Sequence, residues 1–171
     1  LKKLVTKYKI DQKNADILTR NIDIVEFFEQ VASKIDGKFA LSWVTIELLR
    51  VLNYNKKKLD EVDIKAEHFV ALLKLIQQGK ITELQAKRIL NGFVPQSRRP
   101  EDVKEKITDE RELEKIAREV VSKHQKAADD YHHGEQHALN FLMGEVMRAT
   151  ERRADFAVTR KVLERVLQKH S

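Results

Sequence analysis

Apolar residues recur at helical spacing along almost the whole chain, and no segment alternates apolar and polar residues in the way a half-buried strand does. The stretch 69–76, for example, places Phe, Leu, Leu and Ile at i, i+3, i+4 and i+7, which is one face of a helix. Glycine and proline, which interrupt helices, number only 5 and 2 among 171 residues. The pattern predicts an all-α fold.

Helix ends are indicated by single residues. Gly79 and Gly134 stand where a glycine ends a helix, and Thr82 with Gln85 has the spacing of a capping box, so a new helix is expected from residue 83. The stretch 39–54 is apolar nearly all round, which is typical of a central helix surrounded by others.

Both prolines, Pro95 and Pro100, fall in one polar stretch. We therefore expect two helical bundle modules joined by a Pro-containing linker: a helical domain over 1–94, a linker over 95–107, and a terminal bundle of three or four helices over 108–171. A bundle as small as the second would be only marginally stable alone.

Composition excludes several classes of protein. The chain has no cysteine, which rules out disulfides and thiolate metal sites and fits a cytoplasmic setting. No apolar run approaches the roughly 18 residues needed to span a bilayer, so no membrane partner is expected. The chain starts at Leu1 without an initiator Met, which indicates a fragment of a longer protein.

The basic excess is uneven. Residues 1–107 carry 21 Lys and Arg against 15 Asp and Glu, and residues 108–171 carry 12 of each. Within the second part, residues 148–161 hold five basic and two acidic side chains, a local excess that suits RNA phosphates. Such charge runs are more often simply solvated faces, and aromatic residues for base stacking are scarce in this part of the chain. The RNA-binding candidates are Arg148, Arg152, Arg153, Arg160 and Lys161, with His132 and His133 as weaker ones.

Catalytic and metal-binding residues are not expected. His133 and His137 are four apart, but Gly134 lies between them and predicts separate helices, which spoils a two-imidazole metal site. Acidic pairs such as Asp129 and Asp130 lie beside polar turns, where the carboxylates stay hydrated, so acid–base catalysis by them is not expected. No phosphate loop or nucleophile triad stands in the sequence.

Two groups of short motifs follow one another along the chain in the order found in a known family. The first group comprises Asp16-Ile17-Leu18-Thr19, Phe27-Phe28-Glu29, Trp43-Val44, Glu47-Leu48-Leu49, Leu52-Asn53, Gly79-Lys80-Ile81-Thr82 and Ala86-Lys87. It resembles the helical domain of the B subunit (GatB) of the archaeal or bacterial Asp/Glu-tRNA(Asn/Gln) amidotransferase. The second group comprises Asp130-Tyr131, Gly134, Ala138, Phe141-Leu142, Gly144, Val146-Met147, Thr150 and Ala154-Asp155. It resembles the tail that GatB shares with YqeY proteins. Three positions depart from that family: Arg152 stands where it usually has Gly, Phe156 where it often has Pro, and His124-Gln125 where it usually has Asn-Pro.

This resemblance implies a function that the residues alone do not give. It implies a tRNA-binding and tRNA-positioning region of a ligase that converts Glu-tRNA(Gln) or Asp-tRNA(Asn) to Gln-tRNA(Gln) or Asn-tRNA(Asn). Its partners would be tRNA, the glutaminase (A) subunit, and the small (C) subunit of the amidotransferase, with no role for DNA. ATP and Mg would be used by a cradle domain of the parent protein, which would precede Leu1, so this region would need no cofactor. The alternative is a helical protein–protein adaptor that docks the other subunits without touching RNA.

Overall fold

A computed structural model of the chain describes residues 2–101 and 103–169, with side chains from Val5 onward. Within these ranges the regular elements are helices and no strand is formed, so the all-α prediction is confirmed. Asp102, which belongs to the predicted 95–107 linker, lies outside the described residues.

The chain folds as two compact units. The first reaches Gln78 and resumes from Ala86 to Val103, and the second comprises Gly79–Gln85 and the residues from Lys104 onward. The domain boundaries expected from the sequence remain a prediction.

The helices of the two units follow one another closely along the chain. Helices α1 to α7 run over Lys2–Tyr8, Gln12–Thr19, Ile22–Ala32, Gly37–Ser42, Leu49–Tyr54, Ala66–Gln77 and Glu83–Asn91; a π-helix, Trp43–Leu48, lies between α4 and α5, and a 3₁₀ turn, Leu59–Glu61, precedes α6. Helices α8 to α11 run over Glu110–Lys123, Gln125–His132, Gln136–Ala149 and Phe156–Lys169.

The predicted central helix over 39–54 forms as the continuous run of α4, the π-helix and α5. Its burial is less complete than its composition predicts, since Ile46 is 59% and Tyr54 84% exposed. The π-helix hydrogen-bonds i to i+5 instead of i to i+4, so it changes which side chains face inward relative to a regular helix. Composition alone does not show such a change of helix type.

The core of the second unit is built by α8, α10 and α11. Leu113, Leu142 and Leu163, one from each helix, are completely buried. The residues at helical spacing around them are also buried, as the sequence pattern predicts. This core is the scaffold that carries the basic residues of interest.

The predicted helix ends are confirmed. The backbone N–H of Gln85 donates to the Thr82 hydroxyl (3.1 Å) and the Thr82 N–H donates to Gln85 Oε1 (2.9 Å), which is a complete capping box for α7. Gly79 and Gly134 have φ of +71° and +87°, the left-handed conformation that favours glycine just after a helix.

Candidate nucleic-acid interface

The loop between α10 and α11 is fixed to an extended segment of the same unit. The N–H of Ile107 donates to the Arg153 carbonyl (2.7 Å), and the N–H of Asp155 donates to the Ile107 carbonyl (2.9 Å). Ile107 and Ala154 thereby form a parallel β-bridge. Backbone pairing on both sides of Ala154 gives this loop a defined conformation.

Residues at the start of α7 bond both this loop and the segment that pairs with it. The Thr82 hydroxyl donates to the Arg152 carbonyl (2.6 Å), and the Gln85 amide donates to the Lys104 carbonyl (2.8 Å). Lys104 Nζ lies 3.5 Å from a carboxylate oxygen of Glu151. Two stretches distant in sequence, 82–85 and 104–107, therefore meet at the loop.

Arg152 occupies a strained backbone conformation at the centre of this loop. Glu151 and Arg152 have φ of +54° and +65°, which costs an L-residue other than glycine roughly 1–2 kcal/mol each. The N–H of Arg152 donates to the Met147 carbonyl (2.6 Å), so the backbone is held at both its amide and its carbonyl. The side chain is exposed and makes no hydrogen bond or ion pair within the described residues.

Replacing Arg152 by Gly should therefore stabilise the chain by about 0.5–1 kcal/mol. Glycine adopts positive φ without strain, and this gain exceeds the extra entropy that glycine loses on folding. The measurement is the free energy of unfolding in urea. Arg148→Gly, inside the last turn of α10, is the matched control and should destabilise by about 1 kcal/mol. Destabilisation by both substitutions would contradict the left-handed geometry of Arg152.

Two other arginine candidates differ in how free their charges are. Arg153 is half-buried, and its Nε donates to the Glu105 carbonyl (2.8 Å). Its guanidinium is therefore already engaged in a contact within the chain. Arg148 is 82% exposed and lies 3.6 Å from Glu145, a carboxylate that also lies 3.4 Å from His124. An exposed pair of this kind is weak, and Arg148 remains able to bind an anion.

The two candidates on α11, Arg160 and Lys161, are adjacent in sequence but differ in their partners. Arg160 pairs with Glu164 one turn later (3.3 Å) and borders a cavity of about 350 Å³ that Tyr131 and Gly134 also line. Lys161 is exposed and has no ion pair among the described residues. Lys161 is therefore the freer cation.

Each histidine candidate bonds a backbone carbonyl, and the bond from His132 links α9 to α11. His132 Nε2 donates to the Leu167 carbonyl in α11 (2.7 Å), and His133 Nδ1 donates to the Asp129 carbonyl (2.7 Å). These bonds fix the tautomers and use one ring nitrogen of each histidine. Any contact with a ligand would have to use the other ring nitrogen.

One feature near these residues was not expected from the sequence. Phe141 is 48% exposed and borders a cavity of about 490 Å³ together with Lys123 and Lys126. The His124 ring packs against Phe141 edge-on, with centroids 5.2 Å apart. A signal was present in the sequence, because position 141 falls off the apolar stripe of α10, where an aromatic side chain has no core to enter.

Other kinds of site find no support in the described residues. No group of three or more His, Asp or Glu side chains is arranged to hold a metal ion there. No helix within these ranges is both long and apolar enough to cross a membrane.

On α8, a hydrogen bond from Arg118 lowers the pKa of Glu114, its ion-pair partner.

Three of the candidate residues carry exposed positive charge, the kind of group that contacts phosphates. Arg148, Arg152 and Lys161 are exposed cations without strong internal partners, and Arg152 lies within a loop whose backbone is fixed. A cationic residue on a fixed backbone loses less conformational entropy when it binds than one on a mobile loop would.

Comparison with known proteins agrees with the motif order. The family model described as the GatB domain (GatB_Yqey) matches residues 26–167. The chain belongs to the GatB domain family. The matched range includes all of the candidate residues on α9, α10 and α11 of this GatB domain chain.

Three relatives of this GatB domain chain carry the same name, the B subunit of aspartyl/glutamyl-tRNA(Asn/Gln) amidotransferase. The protein of Methanocaldococcus jannaschii is 39% identical over 90% of this chain and 35% of its own length. Those of Methanobrevibacter smithii and Thermoanaerobacter sp. X514 are both 32% identical, over 96% and 98% of this chain and 38% and 36% of their own lengths. The chain thus spans little more than a third of these relatives.

Proposed function

We propose that this chain is the C-terminal, tRNA-positioning region of the B subunit of an Asp/Glu-tRNA amidotransferase. The observation that carries the proposal is the fixed loop after α10, which presents Arg152 close in sequence to Arg148, in a family whose relatives are named for a tRNA substrate. In this role the chain holds tRNA for a reaction that takes place elsewhere in the protein.

Phosphate contacts explain how such a surface would act. A-form RNA hides its base edges in a deep, narrow groove, so double-stranded RNA is recognised chiefly by shape and by backbone contacts. Arg148, Arg152 and Lys161 can each contact a phosphate, while the bonds at Ile107 and Thr82 set the position of the loop. The exposed Phe141 offers one face on which an unpaired base could stack.

The wider reaction belongs to the assembled enzyme. In this proposal the chain works with the glutaminase (A) and small (C) subunits, and catalysis is a property of the complex. ATP and magnesium act in a cradle domain outside this chain. The region supplies binding and orientation, which accelerate a reaction by placing its substrate.

The test is a fluorescence-anisotropy titration of the chain against unacylated tRNA at about 50 mM and about 200 mM salt. Three phosphate contacts give a slope of log affinity against log salt concentration of about −2 to −3, so affinity should fall about 16- to 64-fold between the two conditions. Absence of saturable binding at the lower salt would overturn RNA positioning by this chain.

The competing function, a protein–protein adaptor, is favoured by a different observation. Ile22, Ile46 and Tyr54 in the first unit are 73%, 59% and 84% exposed, which is high for large apolar side chains. An adaptor that uses such residues would associate with the other subunits through apolar burial, largely independent of salt. Association with the other subunits that persists unchanged at high salt, without RNA binding, would favour the adaptor.

A further inference from the structure

A groove in the first unit lies between the end of α3 and the first two turns of α6. Its volume is about 420 Å³, within the range of sites that accept a ligand or a short peptide segment. From Ala66 to Lys74 the groove follows α6 for eight residues, or about 12 Å. That length matches two turns of a helix or about four residues of extended chain.

The floor of the groove is apolar. Ala66, Val70 and Ala71 come from α6, and Val70 is 7% exposed. Two of these three side chains are single methyl groups, so the surface is shallow enough for an incoming apolar side chain to reach it. Burial of apolar surface would provide a salt-independent part of the binding.

The rim of the groove is positively charged. Lys34 just after α3, Lys74 from α6 and Arg99 are all exposed, and none of the three side chains makes an ion pair or hydrogen bond within the described residues. Among the described residues of the lining, the acidic one is Glu67, which is turned toward His68 at 3.9 Å and is 70% exposed. Three unpaired cations against one carboxylate give this described part of the lining a net positive charge.

The position of Arg99 follows from a fixed backbone two residues earlier. The N–H of Ser97 donates to the Asp63 carbonyl and the N–H of Asp63 donates to the Pro95 carbonyl, both at 2.8 Å. The buried Ser97 hydroxyl accepts from the N–H of Lys65 (2.9 Å), just before α6, and lies 2.8 Å from His68 Nδ1. The segment that carries Arg99 is thus tied to the start of the helix that forms the floor.

We propose that this groove binds an acidic peptide segment of a partner protein, with an apolar side chain on the floor and carboxylates facing Lys34, Lys74 and Arg99. A nucleic acid fits less well, because the described residues that line the groove include no aromatic ring to stack a base, and a phosphodiester backbone gains nothing from an apolar floor. The proposal concerns the first unit and does not depend on RNA binding by the second.

The experiment uses the complete chain, labelled with ¹⁵N, and a nine-residue peptide of Glu with two Leu residues four positions apart. Saturable shifts should appear at the amides of Lys34, Val70 and Ala71. The triple substitution Lys34→Glu, Lys74→Glu and Arg99→Glu should weaken binding by at least about tenfold, because it reverses every cation of the rim. The charge-neutral set of three Gln substitutions should weaken it less, in the same direction.

A matched control reverses three exposed cations of the first unit that do not line the groove: Lys13→Glu, Arg20→Glu and Lys57→Glu. Peptide affinity should then stay within about twofold of the parent, since surface charges at a distance are screened. Equal binding of a peptide with Ser in place of both Leu would overturn the role of the apolar floor. Competition by a nine-nucleotide oligouridylate at the same amides would reassign the groove to RNA, and no saturable shift with the Glu/Leu peptide would overturn the proposal entirely.

Discussion

The double substitution Arg152→Glu and Lys161→Glu should reduce the affinity of the chain for tRNA by about ten- to a hundredfold at low salt. Two phosphate contacts are lost and two repulsive charges are introduced, so the salt slope should become shallower by about 2. Neither side chain has a hydrogen bond or ion pair among the described residues, so the fold should be unaffected. Anisotropy titrations over a salt series measure both quantities.

The control must change charge equally without touching this surface. Arg111→Glu and Lys115→Glu also reverse two cations of the second unit; both are exposed on α8, and Arg111 lies in its first turn, where an acidic residue is favourable. Affinity should then fall by no more than about threefold, which is the effect of net charge alone. Equal losses in both double variants would remove Arg152 and Lys161 from the RNA surface. Arg153 is unsuited to this test because its guanidinium bonds the Glu105 carbonyl, so its loss would disturb the loop.

The substitution Leu163→Ala should lower the free energy of unfolding by about 2–5 kcal/mol. Leu163 is completely buried among α8, α10 and α11, and removing three carbon atoms leaves a cavity that rigid neighbours fill only in part. Urea unfolding followed by helical circular dichroism gives the value.

Leu163→Met provides the comparison, because it conserves volume and should cost less than about 1.5 kcal/mol. If alanine and methionine had equal effects below about 1 kcal/mol, Leu163 would not be packed among the three helices of the second unit. A small bundle has little stability to spare, so the alanine variant should also unfold at a markedly lower temperature.

The sequence was most informative where structure depends on neighbours along the chain. The glycines at 79 and 134 and the Thr82–Gln85 capping box each depend on contacts within a few residues, and all were predicted. The π-helix could not be predicted, because the choice between i+4 and i+5 bonding is set by packing around Trp43–Leu48.

The same distinction between local and long-range contacts applies to the candidate interface. Local charge counting found Arg148, Arg152 and Lys161, whose side chains are exposed. It could not show that Arg153 and His132 are engaged with the carbonyls of Glu105 and Leu167, since those partners lie 48 and 35 residues away. Contacts at such separations depend on the tertiary fold. Whether these residues bind RNA stays a prediction.

The conformation of Arg152 also matters to anyone who engineers this chain. A design procedure guided by stability alone would choose glycine at this position, since the backbone there is left-handed. The product would be a more robust protein with one fewer cation on its proposed RNA surface. Screening for heat resistance would thus select against affinity, and the two properties have to be assayed together at this residue.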